Sequence, residues 1–144
     1  MGYHNKMKIS FLSISENESF ARSVAGLFAL QLNPSLSEIS DVKTAVSEAV
    51  TNSIVHGYPN TLGKIVVKVR ILEKNTLEIS VRDWGCGIEN IDKAREPMFT
   101  TGGEERSGMG FTIMESFTDR MRVKSKLGHG TTVVMQKRIA PRMR

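Results

Sequence analysis

One stretch of the chain carries a glutamate and an asparagine at a spacing suited to phosphate chemistry. Glu48 and Asn52 are four positions apart, so both side chains project from the same side of a helix. Magnesium prefers oxygen ligands and keeps several waters, so the Asn52 amide oxygen and the phosphates of ATP would suffice to hold it. Glu48, beside that metal, could accept a proton from an attacking water or hydroxyl group. The alternative is a surface pair that adds about a few tenths of a kcal/mol to the helix.

A second segment, Asp83-Trp-Gly-Cys-Gly87, follows a predicted strand. The Asp83 carboxylate could accept a hydrogen bond from the amino group of adenine. Gly85 and Gly87 lack a Cβ atom, which lets the backbone turn sharply and approach a planar ring. Asp-x-Gly is also common in ordinary turns, so this segment by itself leaves both interpretations open. Trp84 is interpreted as a packing residue rather than a stacking platform.

A third segment places an arginine before glycines at the start of a predicted helix. Gly108, Met109 and Gly110 would present backbone N–H groups and the positive end of a helix dipole to phosphates. Arg106 could neutralise charge that develops on a terminal phosphate. A glycine hinge before a helix is the alternative. On a late strand, Thr131 could reach a base through its hydroxyl or a water, although β-propensity explains it equally well. Together, the three segments indicate an ATP site without a P-loop.

Strands that could position these residues are indicated by alternation of apolar and polar side chains. This alternation predicts strands near residues 7–11, 65–71, 77–81, 121–125 and 131–137, with a turn at Lys74-Asn75. Asp83 would fall at the end of the third strand.

Helices are indicated by apolar residues at helical spacing. Ser19 is a plausible N-cap for a first helix that buries Phe20, Val24, Leu27 and Phe28. Ser35-Leu-Ser-Glu38 is typical of a capping box, and it begins a longer helix that ends at Gly57. The expected buried stripe of that helix is Ile39, Val42, Val46, Ala49, Val50 and Ser53. A short helix near residues 91–95 and another after Gly110 complete an α+β sandwich of two layers, with helices on one face of a mixed, mostly antiparallel sheet.

Composition favours one globular domain over residues 1–144. Hydrophobic residues make up 40% of the chain and charged residues 24%, values that argue against wholesale disorder. No apolar run approaches the ~20 residues needed to span a bilayer. The first residues lack the apolar core of a secretory signal, and the single cysteine, Cys86, excludes an internal disulfide. We therefore expect a cytoplasmic protein without a membrane partner.

The net charge of +5 raises the question of nucleic acid binding. The lysines and arginines are dispersed along the sequence, and the dense cluster lies in the tail, residues 137–144. No helix-turn-helix or aromatic-plus-basic strand pattern accompanies them. From the sequence, we expect a solvated surface and no direct nucleic-acid partner.

The combination of these segments resembles the GHKL ATPase/kinase superfamily, which unites DNA gyrase B, Hsp90, histidine kinases and MutL. Residues 48–56, 83–87 and 106–110 match its N, G1 and G2 boxes. Within that superfamily, residues 16–22, 47–58 and 106–117 resemble the anti-sigma serine kinases of spore-forming bacteria, and this likeness covers nearly the whole chain. The resemblance implies a Bergerat-type ATP-binding fold.

The resemblance also implies roles for individual residues. Glu48 would be the catalytic base, Asn52 the Mg²⁺ ligand and Asp83 the carboxylate that reads adenine. Residues 108–111, including Phe111, would close over the phosphates of ATP as part of a lid. Arg22 matches the arginine with which the family contacts its partners. The lid sequence, residues 100–106, is apparently shorter and richer in glycine than the family pattern.

By similarity, the protein would be a homodimer that holds a sporulation sigma factor when ATP is bound. It would also phosphorylate a serine of an anti-anti-sigma protein that otherwise displaces the sigma factor. Three alternatives differ in class: a nucleotide-gated sigma binder without catalysis, an ATP hydrolase or stand-alone histidine-kinase module, and a stress-response anti-sigma serine kinase. The altered lid favours the first, whereas the long match over residues 106–117 favours the sporulation form.

Overall fold

The sheet contains five strands. A computed structural model describes residues 3–91, 95 and 110–141. The strands are β1 (Tyr3–Leu12), β2 (Lys64–Leu72), β3 (Thr76–Asp83), β4 (Arg120–Lys126) and β5 (Gly130–Arg138). Their order across the sheet is β1-β2-β3-β5-β4, and all four pairings are antiparallel. The five predicted strands are confirmed, and the described sheet is antiparallel at every pairing where a mixed sheet was predicted.

The helices pack on one face of this sheet. They are α1 (Glu16–Ala29), α2 (Leu36–Asn52) and α3 (Gly110–Ser116), with a 3-10 turn at Leu30–Leu32 and a π-helical turn at Ser53–Gly57. The predicted two-layer sandwich is therefore confirmed. None of the helices in the described residues is long and apolar enough to cross a membrane. The short helix predicted near residues 91–95 lies largely outside the described residues, and of its ends the Arg95 amide donates to the Ile91 carbonyl at 3.0 Å.

The hydrophobic core lies between the sheet and the helices. Alternation along the strands sends one set of side chains toward the helices, and β2 contributes Ile65, Val67 and Val69, which are fully buried. The α2 face opposite them buries Val42, Val46, Ala49 and Val50, as its apolar spacing predicts. Ile39, predicted in the same stripe, is only half-buried.

The start of α2 follows the predicted capping box. The Ser35 hydroxyl accepts a hydrogen bond from the Glu38 amide at 3.0 Å. In return, the Glu38 carboxylate accepts one from the Ser35 amide at 2.8 Å. Two N–H groups that a helix start leaves unpaired are thereby satisfied, which fixes where α2 begins.

The prediction for α1 is wrong in its start and in most of its buried face, although the half-buried Phe28 packs against the core. The helix begins at Glu16 after Ser15, and Ser19 lies inside it. Its buried residues are the small ones, Ala21, Ala25, Gly26 and Ala29, whereas Phe20 and Leu27 are 50% and 67% exposed. The reason is close packing against α2. A Cβ atom at Gly26 would lie 3.1 Å from Cγ of Lys43, so only small side chains fit between the two helices.

The face of the sheet turned away from the helices is strongly basic, and we call it the open sheet face. The strand register places Lys8, Lys68, Ser80, Val134 and Arg122 in one row across it. The lysines and arginines at its strand positions are Lys6, Lys8, Lys64, Lys68, Arg70, Arg82, Arg120, Arg122, Lys124, Lys126 and Arg138. One carboxylate, that of Glu78, lies among these strand positions.

Glu78 is nearly buried, and its carboxylate is already hydrogen-bonded to neighbouring side chains. Its carboxylate accepts hydrogen bonds from Arg70, with Nε at 2.9 Å, and from Gln136 at 2.8 Å. Burial acts to raise the pKa of Glu78, but the bonds from Gln136 and Arg70, with the charges of Arg70 and Arg122, lower it below its usual value. Glu78 is therefore ionised at neutral pH, and its carboxylate is paired mainly with the Arg70 guanidinium.

Candidate functional site

The end of α2 brings two of the three predicted segments into contact. Glu48 and Asn52 lie on α2 and are half-buried, as expected for side chains beside its apolar stripe. A Cβ atom at Gly110 would lie 3.0 Å from both the Nδ2 and the Oδ1 atoms of Asn52. The first residue of α3 therefore rests against the Asn52 amide, and only glycine leaves that amide unobstructed.

Asp83, at the end of β3, is almost completely buried. Its Oδ2 atom accepts a hydrogen bond from the Ser53 hydroxyl at 2.8 Å, and its Oδ1 atom accepts one from the Gly85 amide at 3.0 Å. Burial raises the pKa of Asp83 above its usual value, while bonds from Gly85, Ser53 and the Thr131 amide partly oppose that shift. Because Ser53 directly follows Asn52, Asp83 is tied to the helix that carries the first segment.

Gly85 allows the loop after β3 to lie directly against the end of the π-helical turn. A Cβ atom at Gly85 would be 2.0 Å from the Gly57 carbonyl oxygen, a distance no side chain tolerates. The Cys86 amide donates to that same oxygen at 2.9 Å. On the other side, a Cβ atom at Gly57 would lie 3.1 Å from the Asp83 carboxylate. Two glycines thus leave the carboxylate beside bare backbone.

Gly87 joins the same loop to the turn between β4 and β5. Its φ of +75° is one that glycine adopts readily, and a Cβ atom there would be 2.1 Å from the Lys126 carbonyl oxygen. The Gly128 amide donates to the Cys86 carbonyl at 2.6 Å. The loop is therefore held between the π-helical turn and the β4–β5 turn.

Thr131 lies opposite Asp83 in the β3–β5 ladder. Its hydroxyl is 2.7 Å from that of Ser125, which also donates to the Gly130 carbonyl at 2.9 Å and accepts from the Ile88 amide at 2.7 Å. Thr131 therefore lies beside the Asp83 loop, with Ser125 between its hydroxyl and the loop backbone, and its contact with a base stays a prediction.

Tyr58 fixes the backbone next to Asp83. Its hydroxyl donates to the Lys64 carbonyl at 2.7 Å and accepts from the Trp84 amide at 2.7 Å. Burial is the largest cause of a raised Tyr58 pKa, and the Asp83 charge adds to it, although the bond from Trp84 acts in the opposite direction. The phenol therefore stays protonated at neutral pH and keeps its donor role.

The remaining predicted site residues either lie outside the described residues or have side chains in other contacts. Arg106, Gly108 and Met109 lie outside the described residues, as does the lid sequence at residues 100–106. The Phe111 side chain is buried in the core, so a contribution to nucleotide binding would have to come from its backbone. Arg22 lies on α1, where its Nε atom donates to the Glu18 carboxylate at 2.7 Å.

Trp84 differs from its interpretation as a packing residue. Its side chain is 42% exposed, and its ring contacts Lys64 Nζ at 4.7 Å and Arg82 Cζ at 4.6 Å, both measured to the ring centroid. The reason is its position past the end of β3, beside two cations of the open sheet face.

Sequence reasoning missed several residues that build this site. Ser53 was assigned to the apolar stripe of α2, although a hydroxyl one residue after Asn52 was a usable signal. Tyr58 and Gly57 were treated only as the region where the helix ends. Ser125 carried no local signal, because its role depends on strand pairing between β4 and β5.

These residues fit a nucleotide with its metal. The buried Asp83 carboxylate keeps acceptor capacity for a base amino group beside the bare backbone of Gly57 and Gly85. The Asn52 amide beside Gly110 offers an oxygen for a cation. Asp83 would face the base, whereas Asn52 would hold Mg²⁺.

The comparisons with known proteins agree with this geometry. Residues 15–137 match the model of the histidine kinase-like ATPase domain family. An anti-sigma F factor from Clostridium acetobutylicum is 55% identical over 137 residues, which cover 94% of this chain and 95% of that protein. One from Thermoanaerobacter sp. (strain X514) is 54% identical over 140 residues, with 96% and 97% of the two chains covered.

A solved structure of the RsbU and RsbW domains of a Mycobacterium tuberculosis protein is similar in fold. It superposes with a TM-score of 0.69 over 98% of this chain and 34% of that chain, at 20% identity. The predicted ATP-binding fold and the predicted resemblance are confirmed. The chain belongs to the histidine kinase-like ATPase domain family and, within it, to the anti-sigma F factors.

Proposed function

We propose that this chain is an ATP-dependent anti-sigma factor and protein-serine kinase. In this proposal, the ATP-bound protein sequesters a sporulation sigma factor, and it phosphorylates a serine of the anti-anti-sigma protein that antagonises this binding. The observation that carries the proposal is the convergence of Asp83, Asn52 and the start of α3 on one site. Nucleotide binding follows from the ATPase family, and the names of the relatives support the sigma-factor partner.

The base of ATP is recognised by the Asp83 end of the site. The carboxylate accepts a hydrogen bond from the adenine amino group, because the bonds from Ser53 and Gly85 leave part of its acceptor capacity free. Gly85 and Gly87 let backbone approach the base, and Thr131 assists from β5.

The phosphates lie toward Asn52 in this proposal. Its amide oxygen would hold Mg²⁺, and the bound metal would neutralise phosphate charge. Glu48, one helical turn earlier, takes the proton from the acceptor serine hydroxyl as the serine oxygen attacks the γ-phosphorus and ADP leaves. Arg106 and the backbone of residues 108–111 stabilise the charge on the transferring group.

Partner binding is assigned to a different part of the molecule. Arg22 contacts the partners, and its ion pair with Glu18 holds the guanidinium on the outside of α1. We further propose a single domain over residues 1–144, a homodimer and a cytoplasmic location. Homodimerisation would place two Arg22 side chains on one assembly.

The division between binding and chemistry can be tested with Glu48→Gln. This variant should bind a sporulation sigma factor in Mg-ATP as the parent does, because sequestration needs nucleotide and not phosphoryl transfer. Its transfer of phosphate to an anti-anti-sigma protein should fall by roughly 100-fold or more, the scale of general-base catalysis. Glu73→Gln, the same change in the exposed turn between β2 and β3, is the matched control. Loss of sigma binding in Glu48→Gln alone would contradict this division of roles.

A further inference from the structure

Lysines and arginines that are far apart in the sequence lie together on the open sheet face. Side chains alternate along a strand, so cations two residues apart fall on one face. On the edge strand β4, Arg120, Arg122, Lys124 and Lys126 are all exposed, with half-buried residues between them. The ladder adds Arg82, across Thr132 from Lys124, and Lys68, in the row of Arg122.

None of these six side chains forms an ion pair with an acid among the described residues, although the charge of Arg122 acts on Glu78. The ion pairs of the described chain involve other cations, and Glu78 is paired with Arg70. Two such faces repel one another, so a homodimer that joined them would have to bring like charges together. The face is therefore available in a protein that self-associates elsewhere.

We propose that the open sheet face binds the phosphate backbone of duplex DNA without sequence preference. Interfaces with nucleic acid are far more positively charged than protein–protein interfaces, and lysine is depleted from the latter. These features favour a polyphosphate ligand over an acidic protein, and they depart from the expectation that dispersed cations imply no nucleic-acid partner.

A duplex fits better than a single strand. Single-strand binders stack bases on aromatic rings. Trp84, at the rim of the face, already has its ring against Lys64 and Arg82. The six cations, Arg82 included, lie on strands, where alternate residues are spaced at roughly 6.6–6.8 Å and can follow a charged backbone.

The test is fluorescence anisotropy with a short fluorescein-labelled DNA duplex of arbitrary sequence. The full chain should bind it, and log K should fall with log salt with a slope of about −5 if all six cations meet phosphates. Lys124→Glu should weaken binding and make the slope shallower by about one unit or more. Lys74→Glu, an exposed charge reversal in the β2–β3 turn, is the control and should change binding much less.

Four results would overturn the proposal. They are no binding at about 50 mM salt, equal effects of the two charge reversals, loss of binding only when residues 142–144 are removed, or tighter binding to phosphatidylserine vesicles than to the duplex. Asp83→Asn, which should impair ATP binding, should leave duplex binding unchanged, because the face is opposite the helix layer. Failure of this inference is thereby separable from failure of the proposed kinase function.

Discussion

Asp83 shows how the surroundings of one residue set what it can bind. Its carboxylate is buried but keeps acceptor capacity, since two ionised oxygens offer about four acceptor positions and the structure fills some of them from Ser53, Gly85 and Thr131. The residue types at Asp83, Asn52 and Glu48 could be read from the sequence. Tyr58 could not be predicted, because its role depends on contacts with Lys64 and Trp84 that the fold creates.

Replacing Asp83 by asparagine tests the assignment of the base-reading group. The Ser53 hydroxyl can rotate to accept from the new amide, so Asp83→Asn should fold. It should weaken ATP binding by roughly 10- to 100-fold, because a hydrogen bond to a charged group contributes about 1.5–3 kcal/mol. Isothermal titration calorimetry would measure this, and unchanged affinity would contradict the role given to Asp83.

The same variant has a pH signature. Because burial raises the folded-state pKa of Asp83, the stability this group contributes is present below the unfolded pKa of about 3.9 and is lost as pH rises through the folded value. Relative to the parent, Asp83→Asn should therefore be more stable at neutral pH than at pH below about 3.9. Urea denaturation at the two pH values measures the difference, and the opposite ordering would contradict a raised pKa.

At the scale of elements, the sequence predicted the features that depend on interactions between residues close together in the chain. Alternation located the strands, and the Ser35–Glu38 capping box located the start of α2. The face of α1 was wrong because its contact with α2 selects small residues over large ones, a tertiary constraint that hydrophobic spacing does not contain. The π-helical turn at Ser53–Gly57, which presents Ser53 to Asp83, likewise had no signal in the sequence.

The contact between the Asp83 loop and the π-helical turn can be tested with glycine substitutions. Gly85→Ala forces a Cβ atom against the Gly57 carbonyl, so it should cost about 3 kcal/mol or more of unfolding free energy and abolish ATP binding. Gly128→Ala is the control. Nothing lies within 4 Å of its new Cβ, and only its φ of +82° is strained, a cost of about 1–2 kcal/mol.

Thermal denaturation and nucleotide titration of both glycine variants distinguish the two effects. Gly128→Ala should lose some stability and keep its ATP affinity. Equal ATP affinity in the two variants would show that the close approach at Gly85 does not shape the nucleotide site.

At the scale of the whole molecule, the sandwich was predictable but the distribution of its charge was not. Period-two alternation fixes which residues share a face, yet only the pairing order β1-β2-β3-β5-β4 shows that separate basic strands form one surface. The nucleotide site and α1 lie on the helix side, away from that surface. In the proposed function, phosphoryl transfer and sigma binding therefore depend on a different side of the molecule.

The most direct test of the central claim is mass spectrometry of an anti-anti-sigma protein incubated with this chain and Mg-ATP. A Glu48→Ala variant that still binds ATP serves as the control. The kinase proposal predicts phosphoserine on the antagonist with the parent chain and none with Glu48→Ala. Absence of phosphoserine with the parent, despite ATP binding and a folded antagonist, would contradict it and leave a nucleotide-gated sigma binder.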